Sequence, residues 1–261
     1  MLACLGACVF VVLVWYAGTG VILLADRRPR STYLASMMAA TAILVAAVFG
    51  IVRSRTDTSW TGAVLGFACG IAVWGWLEMT FLLGYVTGPR PPPCSPRCHG
   101  WRHFLHAFQA ILYHELTLLA VIGTLTVTEW HSANRVAMWT LLILWGMRTS
   151  AKLNLFLGVR NTGSELLPEP LRYLRVYLRR RPLNLLFPFS ITAATTLLAL
   201  LVRPLLTPGL GEFPQAACAL LASLTALGLL EHWMLVAPFS VARLWVARPR
   251  RAATALKETP A

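Results

Sequence analysis

The chain has 261 residues, 57% hydrophobic and only 13% charged, with a mean hydropathy of +0.64, against roughly 45–50% apolar and about 25% charged in an ordinary soluble domain. That balance rules out a soluble globule and argues against disorder, a disulfide scaffold or a cytosolic enzyme. The 23 Lys and Arg against 10 Asp and Glu give a formal charge of +13, which in so apolar a chain points to basic loops beside anionic lipid rather than to nucleic acid.

Seven apolar runs follow one another at 3–25, 33–52, 61–86, 104–127, 136–158, 185–206 and 214–238, separated by charge clusters or Pro/Gly punctuation such as ADRRPR, GPRPPPCSP and RRRPLN. A helix of about 20 residues crosses roughly 30 Å of hydrocarbon, and lipid leaves no open backbone group satisfied. The expected fold is therefore all-α: a polytopic transmembrane bundle of about seven spans forming one domain over 1–246, with a basic tail at 247–261. The first run is too long for a signal-peptide core and no Lys or Arg precedes it, so it is expected to remain as a helix.

Orientation follows from the basic residues. With seven spans, Arg27, Arg28, Arg30, Arg90, Arg97, Arg102, Arg160, the cluster at 172–181 and Arg243, Arg248, Arg250, Arg251 and Lys257 share one side. The other side receives only Arg53, Arg55, Arg135 and Arg203. The bias places the N-terminus outside and the C-terminus in the cytoplasm.

The longest loop, GSELLPEPLRYLRVYLRRR at 163–181, spaces Leu171, Leu174 and Leu178 at i, i+3 and i+7. A short interfacial helix over about 170–181 is expected there. Arg172, Arg175, Arg179, Arg180 and Arg181 would form a basic cytoplasmic surface, serving as a topogenic loop or as a docking surface for a partner.

Ionisable groups inside apolar runs are expensive and mark candidate sites. The chain places Glu78 in the third run, His114 and Glu115 in the fourth, Arg148 and Lys152 in the fifth, and Glu231 and His232 in the seventh. Arg148 and Lys152, at i and i+4, share a helix face and are expected to pair with Glu115, Glu78 or Glu231. The cluster reads as a packing network, a proton or ion path, a pigment site or an intramembrane catalyst. His106, His114 and His232 are the candidate ligands for a pigment metal. His114-Glu115 opens like the zinc-protease signature, but Leu118 stands where the second histidine belongs. Cys94, Cys98 and His99 form C-x3-C-H, with the wrong spacing for haem attachment, which leaves a reduced thiol pair or a labile metal site.

The stretch WTLLILWGMRTSAKLNLFLGVRN (Trp139–Asn161), with HEL at 114–116 and LEHW at 230–233, resembles the PuhE family, photosynthetic complex assembly proteins of purple phototrophic bacteria. The likeness is densest across spans four, five and seven. It carries no catalytic residues, but its motifs contain His114, Glu115, Arg148, Lys152, Asn154, Asn161, Glu231 and His232. The resemblance implies a non-catalytic inner-membrane accessory factor for building the reaction centre and its core antenna. Its partners would be lipid and reaction-centre or antenna subunits, with bacteriochlorophyll as a candidate cofactor. An integral-membrane enzyme of pigment or lipid metabolism is the alternative, ahead of a small transporter.

Overall fold

Each apolar run folds as a helix. The computed structural model describes residues 2–89 and 98–239; Cys94, Arg90, Arg97 and the basic tail at 247–261 lie outside the described residues. The α-helices are α1 (Leu2–Asp26), α2 (Tyr33–Ser54), α3 (Trp60–Leu82), α4 (Gly100–Glu129), α5 (Val136–Leu157), α6 (Leu186–Val202) and α7 (Glu212–Val236). Six of them are long and apolar enough to cross a membrane. The remaining helix, α5, has spanning length at 22 residues but carries Arg148 and Lys152, and it packs against α3, α4, α6 and α7. The protein is an all-α bundle of the multi-pass membrane type.

The centre of the bundle is α3, α5 and α7. One buried cluster joins Phe67 of α3 to Ile143 of α5 and Leu220 of α7; a second joins Leu77, Leu118 and Leu141 of α3, α4 and α5. Helices in lipid gain little from hydrophobicity and instead pack through small residues. At Gly70 of α3, an added Cβ would stand 3.2 Å from the Ala137 carbonyl oxygen and 3.1 Å from Thr140 Cβ, both on α5. The outer faces of α1, α2, α4 and α6 expose Leu13, Val45, Phe49, Leu119, Phe189 and Leu200, surfaces suited to lipid.

Asparagine and serine fix the helix ends. Ser59 Oγ accepts from the Gly62 amide at the start of α3. Asn134 accepts from Val136 N at the start of α5 while donating to the carbonyls of Asp57 and Gly62. Asn161 donates to Met234 and Ala237 carbonyls at the end of α7.

The segment after α5 differs from its expected form. A 3-10 helix runs over Glu169–Tyr177, entered through Pro168 and Pro170, and its buried positions are Leu171 and Tyr177. Three residues per turn align Leu171, Leu174 and Tyr177, so the apolar stripe has period three and packs on α4. Beyond Tyr177 the chain runs alongside Val159, with Val159 N donating to Arg179 O and Arg181 N to Val159 O.

A candidate polar site between the helices

The intramembrane charges form two ion pairs on α5. Arg148 Nη2 donates to Glu78 Oε2 of α3 at 3.0 Å, and Lys152 Nζ donates to Glu115 Oε1 of α4 at 2.6 Å. The i, i+4 stripe of α5 therefore selects one carboxylate from each neighbouring helix. The third carboxylate, Glu231, sits on an exposed face of α7 and accepts a hydrogen bond from Trp15 of α1; among the described residues it forms no ion pair. A third pair, Arg55 with Glu129, closes the far end of the bundle, with Glu129 1% exposed.

Beside these pairs lies a sealed aromatic stack. The His114 ring is fully buried and lies 4.3 Å from the Phe81 ring, nearly parallel to it, and Lys152 Nζ stands 5.8 Å from the same Phe81 ring. Among the described residues, both His114 nitrogens are buried without a hydrogen-bond partner, as are Glu78 Oε1, Arg148 Nε and Thr149 Oγ1. Polar groups in this state cost free energy rather than supply it.

Around His114 the backbone of α4 is bonded from outside. Its amide donates to the Thr87 carbonyl at 3.0 Å, and the Ala110 carbonyl accepts from the Tyr173 hydroxyl at 3.1 Å. The loop that delivers Thr87 approaches so closely that a Cβ on Gly88 would collide with the Gln109 carbonyl oxygen. Burial pushes the Tyr173 phenol above its usual value of 10.0, opposed by a hydrogen bond to Thr87.

The lower half of α5 is an asparagine knot. Asn154 donates to Ser150 O and to Ser190 Oγ of α6, and Asn184 donates to Asn154 Oδ1 and to the Gly158 carbonyl. Asn184 Oδ1 then accepts from the amides of Leu186 and Phe187, capping α6. Next to this knot, His232 is 1% exposed, with Nδ1 2.9 Å from the Gly228 carbonyl and Nε2 2.9 Å from Ser150 Oγ.

The three histidines fit a chlorin magnesium unequally. His232 has both nitrogens engaged in hydrogen bonds, and His114 is fully buried and stacked on Phe81, so neither presents a nitrogen at an open surface. His106 is half-buried near the start of α4, with Nδ1 3.1 Å from Cys98 Sγ. Among the described residues, no group of three or more His, Cys, Asp or Glu could hold a metal ion.

The arginines at 172–181 gather at one end of the bundle. Arg175 Nε donates to the Ser164 carbonyl, the Arg179 guanidinium stands 5.5 Å from the Phe156 ring, and Arg30 pairs with Glu169 at 3.0 Å. Arg172 and Arg180 are exposed, and the Arg181 stem covers Gly158.

The sequence pattern singles out the charged members of this layer but not Phe81, Ser150, Asn184, Ser190 or the Arg55–Glu129 pair. Ser150 and Asn154, at i and i+4 inside an apolar run, are the signal that would have extended it.

A family described as "Protein of unknown function (DUF3623)" matches residues 1–254 of the chain. A Rhodobacter capsulatus protein, described as an uncharacterized 30.4 kDa protein in the puhA 5′ region, is 36% identical over 239 residues, covering 90% of this chain and 86% of the relative. No solved structure matches the chain.

Proposed function

We propose that this chain, which belongs to the DUF3623 family, is an accessory protein for assembly of the photosynthetic reaction centre and its core antenna in a bacterial inner or intracytoplasmic membrane. The observation that carries this reading is the position of the Rhodobacter relative in the puhA 5′ region, a photosynthesis region, together with the resemblance of Trp139–Asn161 and its companion motifs to PuhE.

The geometry supports a holding role. Both intramembrane cations have a carboxylate partner, so α3, α4 and α5 are tied into one rigid unit. The outward apolar faces of α1, α2, α4 and α6 suit contact with helices of a partner subunit. The arginine-rich end, in the cytoplasm if the basic-loop bias holds, would grip acidic headgroups or an acidic partner surface. Because His114 and His232 do not fit an axial ligand, the reading rests on protein contacts. No step in it passes through bacteriochlorophyll.

The test is the near-infrared absorption of membranes from a phototroph lacking the chain, with extracted pigments analysed in parallel. Loss of the reaction-centre and core-antenna bands with unchanged pigment composition is the expected result. Accumulation of one pigment precursor would replace this reading with an enzyme of pigment metabolism, and an unchanged spectrum would remove it.

A further inference from the structure

We infer that Ser150, on the lining of an apolar crevice between α5, α6 and α7, and His232, buried behind it, form a nucleophile–base dyad built to attack a fatty-acyl ester. The inference does not rest on the assembly reading. It takes up the membrane-enzyme alternative with His232, which the sequence pattern marks, and Ser150, which it passes over.

The crevice has a volume of about 720 Å³, within the range of small-molecule sites. Trp139, Ile143 and Leu197 line its walls, Arg135 stands at one end, and Ser150 and Ser190 supply polar groups at the other. From Arg135 to Ser150 along α5 is roughly 22 Å at 1.5 Å per residue, the reach of a long alkyl chain rather than of a compact solute.

Ser150 differs from five other hydroxyls of the bundle. Thr80, Thr140, Ser190, Ser223 and Thr225 each donate to a carbonyl three or four residues back on their own helix, the usual way to quiet a hydroxyl in an apolar helix. Among the described residues Ser150 Oγ has no such bond to its own helix and instead lies 2.9 Å from His232 Nε2. The tautomer follows from the other nitrogen. A carbonyl only accepts, so Nδ1, 2.9 Å from Gly228 O, carries the ring proton and orients the imidazole. Nε2 then presents its lone pair to the Ser150 hydroxyl. A hydroxyl donating to a neutral imidazole whose far nitrogen is fixed by a third group is the arrangement of an activated serine.

The chemistry balances with water as the only co-reactant. Ser150 Oγ bonds to the ester carbonyl carbon as its proton passes to His232 Nε2. The tetrahedral adduct collapses, the bond from carbon to the alcohol oxygen breaks, and Nε2 returns the proton to the departing alkoxide. Water, deprotonated by Nε2, then attacks the acyl-serine carbonyl. The serine leaves with its proton restored, releasing the fatty acid.

The test uses the purified full chain in phosphatidylcholine–phosphatidylglycerol nanodiscs and a long-chain alkyl fluorophosphonate, which phosphonylates an activated serine with loss of fluoride. The expected result is labelling at Ser150, mapped by peptide mass spectrometry and abolished in Ser150→Ala. His232→Asn should slow it by about 10²-fold or more, the usual worth of a general base. If Ser150→Ala fails to fold, Ser150→Cys keeps the side-chain bulk and must also lose the label. Ala193→Trp, in the crevice wall, should slow the long-chain probe while sparing diisopropyl fluorophosphate. An unlabelled wild-type chain, or equal labelling of the wild type and a folded Ser150 variant, would overturn the dyad. Equal sensitivity of both probes to Ala193→Trp would overturn the assignment of the crevice as the acyl subsite.

Discussion

Lys152 Nζ lies 2.6 Å from Glu115 Oε1 on α4, one helical turn beyond the point where Arg148 meets Glu78 on α3. The Lys152 and Glu115 side chains are only 19% and 12% exposed, so removing either leaves the other charged and largely cut off from water. Lys152→Met should therefore destabilise the bundle by about 3–5 kcal/mol, the cost of breaking a buried pair. Lys152→Met combined with Glu115→Leu should recover most of the loss, since no charge is then stranded. Thermal unfolding of the purified variants checks both, and an unaltered midpoint in the single variant would remove the pairing from the account of stability.

Asn184 does the work of several residues at once. It caps α6 through the amides of Leu186 and Phe187, and it ties that cap to α5 through Gly158 O and Asn154 Oδ1. Loss of an N-cap alone costs about 0.5–2 kcal/mol. Asn184→Ala should exceed about 2 kcal/mol, because it also removes the buried bonds to α5. Asn184→Asp keeps the acceptor for the amides and loses the donors. A loss for Asn184→Asp as large as that for Asn184→Ala would show that the ties to α5, not the cap, dominate.

The helices were legible because a membrane asks for unbroken apolar runs, and such runs survive in the sequence whatever packs against them. Glu78, Glu115, Arg148 and Lys152 were legible for the opposite reason, as charges within those runs. Which carboxylate each cation chooses was not, since that depends on helix rotation, and the structure leaves Glu231 on the outside of α7. Asn184 was hidden because an asparagine in a polar turn carries no mark of what it touches, and Ser150 because a serine inside an apolar run is cheap enough to pass without a partner. Arg55 and Glu129, each at a helix boundary, read separately as loop residues. In the 163–181 loop, a spacing of i and i+3 suits both helix types. Leu171, Leu174 and Tyr177 follow the three-residue turn, while Leu178 has left the helix.

His114 raises the question of what a buried imidazole without partners is worth. Both nitrogens are buried and unbonded among the described residues, while the ring face packs on Phe81 at 4.3 Å. Replacing it by an apolar ring keeps the stack and removes the unsatisfied groups. His114→Phe should thus hold or raise the thermal midpoint. A fall of more than about 3 kcal/mol, beyond what a tight repacking usually costs, would mean that the imidazole takes part in the Glu78–Arg148 layer. Membranes carrying a stable His114→Phe chain with undiminished reaction-centre absorption would remove His114 from the functional residues.

Tyr173 holds the 3-10 segment to the membrane-embedded part of the molecule, donating to the Ala110 carbonyl one turn before His114. Tyr173→Phe removes that donor and should cost about 0.5–1.5 kcal/mol, read as earlier proteolysis of the 163–181 loop rather than as a shift of the whole bundle. The pH dependence has a definite sign. Burial raises the folded phenol above the unfolded value of 10.0, so the contribution of the neutral phenol is complete below pH 10. It is lost as the pH rises through the folded value, where ionisation removes the donated proton. Proteolysis of the loop in the wild-type chain should accelerate above pH 10, and in Tyr173→Phe it should be faster already at neutral pH and lack that alkaline rise. An identical alkaline rise in both would assign the effect to another group and leave Tyr173 as packing alone.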